Sequence, residues 1–289
     1  MASTQLKFGR SYSISIGESN GNTLTVELPF TIEFDIQRND LASSNIASFR
    51  IYNLSAKNRN LLRKDIQDVL VFRPVTMRAG YGLNNPVIFQ GYVQQAWSVR
   101  EGVNFITQIE CFDGGQAFTT GQTSITATSG TPTAAVIDTL INSLPGTTVG
   151  AIGSFPDTIS RATPYNGSTT SILSDLTGGG FFIDNGKGYA LGPNEVVPGD
   201  IQVINSASGL LGTPIRENLN VRLTMLFEPK LRIAQQVKLQ SITGENFNGS
   251  YKVFSISHKG TISESVCGDA ITTVGLINSN ALVTVPTTQ

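Results

Sequence analysis

The chain has 289 residues, with 20 Lys plus Arg against 21 Asp plus Glu and a formal net charge of −1. That balance supplies no basic field to hold nucleic acid by its phosphates, and no apolar run approaches the roughly 18 residues of a membrane span. Charged residues make up 14% of the chain, below the about 25% usual for globular domains, and with 29 Gly this points to β-rich structure whose surface is partly covered by partners.

The length allows two domains or one large one with a substantial core. Cys111 and Cys267, the two cysteines, lie in strand-like segments and read as buried free thiols, not as a disulfide scaffold. Met1 to Arg10 lacks the apolar stretch of a signal peptide, so folding in a reducing cytoplasm is expected.

Tyr12, Ile14 and Ile16 alternate with serines, Gly17 to Asn22 turns, and Leu24, Val26 and Leu28 alternate again, which predicts a hairpin. Phe30, Ile32, Phe34 and Ile36 then alternate against Thr31, Glu33 and Asp35. In NIASFRIYNLSAKNRNLL, residues 45–62, Phe49 and Ile51 point one way and Arg50 and Tyr52 the other, the period of a half-buried strand. Ser55 follows as a helix N-cap, and Leu61, Leu62, Ile66 and Val69 recur at helical spacing. Asn58 stands where Glu or Gln would complete a capping box. The helix is expected to pack on the sheet through Leu61, Leu62 and Ile66.

Val75, Met77 and Ala79 lead to a turn at Gly80-Tyr81-Gly82, and strands follow at Val87 to Phe89 and Tyr92 to Val99, with Gly91 as a bulge or bend. Glu101-Gly102 turns the chain into a strand from Asn104 to Phe112, ended by Asp113-Gly114-Gly115. A closed, twisted sheet flanked by one helix is expected, because so many strands would otherwise leave edges exposed.

Residues 119–130 are rich in Thr, Ser and Gly and read as a linker. Thr131-Pro132 starts a helix with Ala135, Val136, Leu140, Ile141 and Leu144 on one face and Pro145-Gly146 as its stop. Ile172, Leu173 and Leu176 predict a second short helix, ended by Gly178-Gly179-Gly180, and Phe181 to Ile183 pairs with Tyr189 to Leu191 across a turn.

From Asn218 strands return: Leu219, Val221, Leu223, Met225 and Phe227 alternate until Glu228-Pro229. Val237 and Leu239 follow, then a turn at Gly244 to Gly249, a strand from Tyr251 to His258, a loop through Gly260 to Gly268 and a strand from Ala270 to Leu276. Val75–Cys111 and Gln236–Leu276 thus repeat one order of elements, which suggests two copies of one barrel. Asn278 to Gln289 is expected to fray.

No catalytic set assembles. Gly17-Glu18-Ser19-Asn20-Gly21 matches a nucleophile elbow in letters, but it joins two strands where an elbow joins strand to helix. His258, the lone histidine, is placed at a strand end, bonded to its neighbours. One His and two distant Cys cannot form a zinc ligand cluster, and no calcium loop is present. Gly186-Lys187 lacks the spacing and the following Ser or Thr of a phosphate loop and reads as a hairpin turn. No stretch points to paired carboxylates. Tyr92, Trp97 and Phe105 could stack sugars or bases, and on strands they read first as core. The expectation is a chain with no catalytic, cofactor-binding or metal-binding residues.

SFRIYNLS at 48–55, AGY at 79–81, IFQG at 88–91, REG at 100–102, IECFDGG at 109–115, GGGFFIDNGKGYAL at 178–191, SGLLGTPIREN at 208–218 and NGSYKVFSISHKG at 248–260 occur in the order seen in one family. The sequence resembles the baseplate hub proteins of contractile-tailed bacteriophages, related to the late control protein D group. That resemblance implies a mainly β (α+β) fold of two tail-tube-like β-barrels with a small α/β domain between them: 1–118, 119–205 and 206–289. It further implies a non-enzymatic homo-trimer in the virion tail, assembled in the host cytoplasm. Its partners would be the tail tube or tube-initiator protein, the central spike and other baseplate proteins, with the genome passing through the lumen without sequence-specific contact. A hexameric tube or tube-initiator protein shares the early motifs but leaves residues 206–289 without a role. A tail-associated peptidoglycan hydrolase needs catalytic residues that the sequence does not assemble.

Overall fold

The computed structural model describes residues 7–218, 220–266, 268–278 and 281–286. Leu219 and Cys267, which the sequence reading placed in a strand and as a buried thiol, lie outside the described residues.

The N-terminal hairpin is β1 (Arg10–Gly17) with β2 (Thr23–Glu27). Strands β3 (Ile32–Asn39) and β4 (Ile46–Tyr52) follow, then helix α1 (Ala56–Leu62), β5 (Arg73–Tyr81), β6 (Val87–Glu101) and β7 (Asn104–Phe112). Ser55 caps α1 by accepting the Asn58 N–H at 3.2 Å. Leu62 is buried as expected, but α1 ends there, and Ile66 and Val69 are exposed in the connector to β5. Phe30 stays outside β3 and is exposed.

Residues 119–130 are not a linker. They finish helix α2 (Gly115–Thr120) and form β8 (Gln122–Ala127), which pairs with residues Thr163–Ser168. Pairing with a partner far along the chain overrides a loop-like composition. Helix α3 (Thr133–Ser143) begins after Pro132 and buries Val136, Ile137, Leu140 and Ile141, while Ala135 is exposed. Strands β9 (Thr148–Ile152) and β10 (Thr163–Ser168), helix α4 (Thr169–Leu176), and the hairpin β11 (Phe181–Asp184) with β12 (Lys187–Ala190) complete the middle segment. Its turn is Asn185-Gly186, both at positive φ (52° and 71°), the backbone that a two-residue hairpin of the right twist requires.

The last part holds β13 (Glu195–Ile204), β14 (Leu210–Glu217), β15 (Asn220–Leu226), β16 (Gln235–Leu239), β17 (Gly249–Ile262), β18 (Ala270–Asn278) and β19 (Val283–Thr284). β17 runs four residues beyond the expected end at His258. The C-terminal segment docks where fraying was expected: β19 pairs with β13, and Val285 is buried beside it.

The protein is mainly β. One large sheet runs β14-β15-β18-β17-β3-β4-β7-β6-β5-β1-β2, with β13 and β16 branching from β17, and its path is open at β14 and β2 among the described residues. The closure expected from the strand count is therefore not seen as pairing within the chain.

Two runs along this path match in register. Ala47 faces Cys111, Phe49 faces Ile109 and Ile51 faces Thr107 on β4 and β7. Val221 faces Leu276, Leu223 faces Val274 and Met225 faces Thr272 on β15 and β18. Against β7 and β18, the long strands β6 and β17 each shift register once, between Val93 and Gln95 and between Val253 and Ser255. The orders β3-β4-β7-β6-β5 and β14-β15-β18-β17-β16 are thus one pattern used twice. The bulge lies at Gln94, not at Gly91. Gly91 instead allows close approach, since a Cβ there would meet the Phe112 carbonyl oxygen.

Three buried clusters lie among the described residues and cross between these stretches, the first taking in Phe227 and Ile262 and the second Ala151 and Phe182. The first contains Ile14, Ile16, Ile32, Phe49, Met77 and Phe89, so β1 and β5 pack over β3 and β4. The second centres on Leu223, Met225, Val237, Val253 and Leu276. The third joins α3 and α4 to β11 through Ile137, Leu140, Leu173 and Phe181.

Candidate functional site

The position of each part relative to the others is set at two places, a strand junction and a buried polar cluster. At the junction, β17 pairs with β3 from Ser255 opposite Asn39 to Ile262 opposite Ile32, which joins the two copies of the strand pattern edge to edge. Beneath it Phe227, from the connector after β15, packs on Phe34 of β3 and Tyr81 of β5, and the Tyr81 hydroxyl donates to the Phe227 carbonyl at 2.9 Å. Across the other face of the sheet, Lys259 of β17 pairs with Asp35 of β3 at 3.3 Å, and Arg50 of β4 bridges Glu33 and Glu101.

The polar cluster holds the β11–β12 turn against the first copy. Arg38 continues the inward-facing series Ile32, Phe34, Ile36 on β3 and is buried. It reaches Asp184 at 3.3 Å and donates to the Leu231 carbonyl at 3.0 Å, so one guanidinium ties β3 to β11 and to the connector between β15 and β16. The Asn45 amide donates to the Ile183 carbonyl at 2.9 Å. Asp113, at the end of β7, accepts the N–H groups of Asn185 at 2.5 Å and Gly186 at 3.0 Å, and Asn185 accepts the Gln90 N–H in return. Burial, with the Asp184 charge adding to it, pushes the Asp113 carboxyl up to about 7, although the bonds from Gly186, Asn185 and Asn45 oppose the rise. Arg38 Nε alone of the buried cluster atoms has no hydrogen-bond partner among the described residues, and the remaining bonds fix orientation.

None of these four residues was singled out from sequence. Arg38 was the available signal, a charge on the apolar face of an alternating strand, which is tolerated when it is paired.

The residues that the sequence did single out lie apart. Ser19 is exposed in the β1–β2 turn, where its N–H donates to the Leu61 carbonyl, so the elbow-like pentapeptide is a hairpin loop. His258 sits within β17 and not at its end. It is fully buried, its Nδ1 lies 2.9 Å from the Thr272 hydroxyl and its ring stands edge-on to Phe227. Burial holds its pKa well below the ordinary histidine value, so the ring is neutral. Gly186-Lys187 belongs to the hairpin turn just described.

Tyr92, Trp97 and Phe105 are not core. Tyr92 and Trp97 are half-buried, and Phe105 lies on the surface with the Arg59 guanidinium 3.9 Å above its ring. Arg59, Arg63, Trp97, Ser98, Arg100 and Phe105 line a groove along the β6 edge, which explains why strand aromatics there were not needed inside. Among the described residues no three His, Cys, Asp or Glu side chains gather as a metal site, and no helix is long and apolar enough to cross a membrane. Cys111 is a buried free thiol.

Comparison with known proteins gives one family match, described as baseplate hub gp41, over residues 13–261. No curated protein sequence matches. Among solved structures, a 43 kDa tail protein of prophage MuSo2 from Shewanella oneidensis is similar over 93% of this chain and 97% of its own, with TM-score 0.56 at 10% identity. A tail protein from Neisseria meningitidis MC58 is similar over 94% of this chain and 97% of its own, with TM-score 0.53 at 8% identity. The E. coli c3393 protein, a type VI secretion component described as similar to the T4 tail proteins gp27 and gp5, is similar over 89% of this chain and 76% of its own, with TM-score 0.57 at 7% identity.

Proposed function

The chain belongs to the baseplate hub gp41 family, and from that premise we propose that it is a non-enzymatic structural hub, three copies of which form a pseudo-sixfold ring. The ring joins a hexameric tail tube on one face to a trimeric central spike on the other. Each chain supplies two tail-tube-like barrels, residues 1–118 and 206–289, separated by a small α/β domain at 119–205. The barrels take their final closure from neighbouring copies, and the genome passes through the lumen without sequence-specific contact.

The observation that carries this reading is the strand order used twice, β3-β4-β7-β6-β5 and β14-β15-β18-β17-β16, with the β4–β7 register matched by β15–β18. A ring that must meet six tube subunits can present six similar units, and two per chain need three chains. A tube or tube-initiator protein would carry the pattern once. Assembly is expected in the host cytoplasm, with the mature protein in the virion baseplate beside other baseplate proteins. Cross-linking mass spectrometry on purified tails tests the placement: links to the spike are expected alongside links to the tube protein, the latter from both residues 1–118 and residues 206–289. Links to tube subunits alone would mark it as part of the tube.

A further inference from the structure

The seat of the β11–β12 turn holds more negative charge than positive. Asp113, Asp184, Arg38 and Asn45 are each at most 5% exposed, so two carboxylates share one guanidinium away from bulk water. Arg38 pairs with Asp184 at 3.3 Å, and no cation lies within ion-pair reach of Asp113 among the described residues. Asp113 is left to neutral donors, the Asn185 N–H at 2.5 Å, the Gly186 N–H at 3.0 Å and the Asn45 side chain. The other ionisable groups around the pair supply no compensating charge. Burial raises the hydroxyls of Tyr92 on β6 and Tyr189 on β12, so both are neutral, and His258 of β17, which senses Arg38, is neutral too. Lys187 is exposed, and Arg232 is exposed with its guanidinium bonded to the Pro198 carbonyl.

An excess charge buried in this way favours uptake of a proton, because the ionised form loses its hydration and gains no cation in return. Asp113 is the group that takes it: burial and the neighbouring Asp184 charge outweigh the N–H bonds that favour its ionised form. A cleft of about 60 Å³ opens beside it, lined by Asp113, Tyr92, Gly91, Gly146 and Gly186, with room for water to exchange the proton. We propose that this seat is a proton-dependent latch: with Asp113 protonated it clamps the β11–β12 turn to β6 and β7, and as that proton leaves, the turn lifts off them. Lifting hydrates Asp113 and parts Asn185 from the Gln90 N–H, which it accepts at 2.9 Å. The Arg38–Asp184 pair, the Asn45 bond to the Ile183 carbonyl and the packing of Phe182 in the second buried cluster stay in place, so the movement is confined to the turn.

The sign follows from linkage. In the lifted state Asp113 returns to the ordinary carboxylate range, so lifting releases a proton between about pH 4 and about pH 7, and its equilibrium constant grows by up to about tenfold per pH unit over that interval. Residue-resolved hydrogen exchange of the full chain, corrected for the intrinsic pH dependence of exchange, reads the opening at Gln90, Asn185 and Gly186. These amides are expected to exchange ahead of the slowest amides of β4 and β7, as a local opening requires, and their opening to rise by at least about tenfold from pH 5 to pH 7. Asp113→Asn, which cannot titrate, is expected to abolish the rise. A smaller rise in the parent, a rise that persists in the variant, or exchange only together with β4 and β7 would overturn the proposal. If the variant does not fold, carbon NMR of the Asp113 carboxyl in the parent decides. Its midpoint is expected above about pH 6, with the Asn185 and Gly186 amide shifts moving at the same midpoint, and a lower midpoint or amide shifts that do not follow it would overturn the latch.

Discussion

Ser98 and His258 hold the same place in two copies of one strand pattern: each hydrogen-bonds the threonine directly opposite, Thr107 at 3.1 Å and Thr272 at 2.9 Å. His258 is fully buried because β3 and Phe227 cover that edge, while Ser98 is exposed. One local structure therefore appears once covered and once open, and the difference is the presence of a neighbouring strand.

Leu62 and Ile66 test the first copy's flank. Leu62 is buried beneath α1, so Leu62→Ala removes its transfer energy and leaves a cavity, a loss of about 2 to 5 kcal/mol. Ile66→Ala is expected to change the free chain by less than about 0.5 kcal/mol, since Ile66 lies on the surface. Urea unfolding of both variants measures the contrast, and equal losses would mean that the connector packs like a helix.

The N-terminal hairpins, the Ser55 cap, α3, α4 and the meander strands were legible in the sequence because each carries a local signal: alternation, a capping hydroxyl or a Gly stop. The segment 119–130 was misread since β8 owes its state to β10, about 40 residues away, and its own Thr and Ser favour strand and loop alike. Ile66 and Val69 extended the helical period past a helix that ends at Leu62, with Lys64 bonded to Ala96 instead of continuing the turn. The Arg38–Asp184–Asp113 cluster was out of reach because its members lie up to about 146 residues apart and meet through the fold alone.

Arg38 and Asp184 form a buried pair, and removing one partner strands the other charge. Arg38→Ala is expected to cost about 3 to 5 kcal/mol, and the double change Arg38→Met, Asp184→Leu to recover part of it by removing both charges. Thermal unfolding of the single and double variants checks this. A loss from Arg38→Ala below about 1 kcal/mol would show that the cluster does not fasten the middle segment.

Asp113 gives a pH dependence of defined sign. Its folded pKa is raised to about 7, so the folded state binds this proton more tightly than the unfolded chain does. The stability it contributes is full below the unfolded value near about 3.9 and is lost as pH rises through about 7. His258 acts oppositely: its lowered pKa contributes stability present above its unfolded value and lost as pH falls below it. The difference between the parent and Asp113→Asn isolates the first effect. The parent's advantage over the variant is expected to shrink from pH 5 to pH 8 in urea midpoints, and a constant or growing advantage would contradict the assignment.

Ser19 and His258 should behave as structural residues. Ser19→Ala, in an exposed turn, is expected to leave stability and particle infectivity unchanged, whereas His258→Ala should lower stability through the cavity and the lost bond to Thr272, whose hydroxyl keeps the Glu228 N–H. Hydrolysis of cell-wall material that either substitution abolished in a folded chain would contradict the non-enzymatic reading.

The central claim is that two copies of one strand pattern per chain build a ring of six similar units from three chains. A reconstruction of the purified tail at a resolution that traces strands measures it most directly. Three chains around the axis, with β3-β4-β7-β6 and β14-β15-β18-β17 alternating about the lumen, is the predicted result. Six chains in the ring, or one pattern facing the lumen while the other lies outside it, would contradict the account.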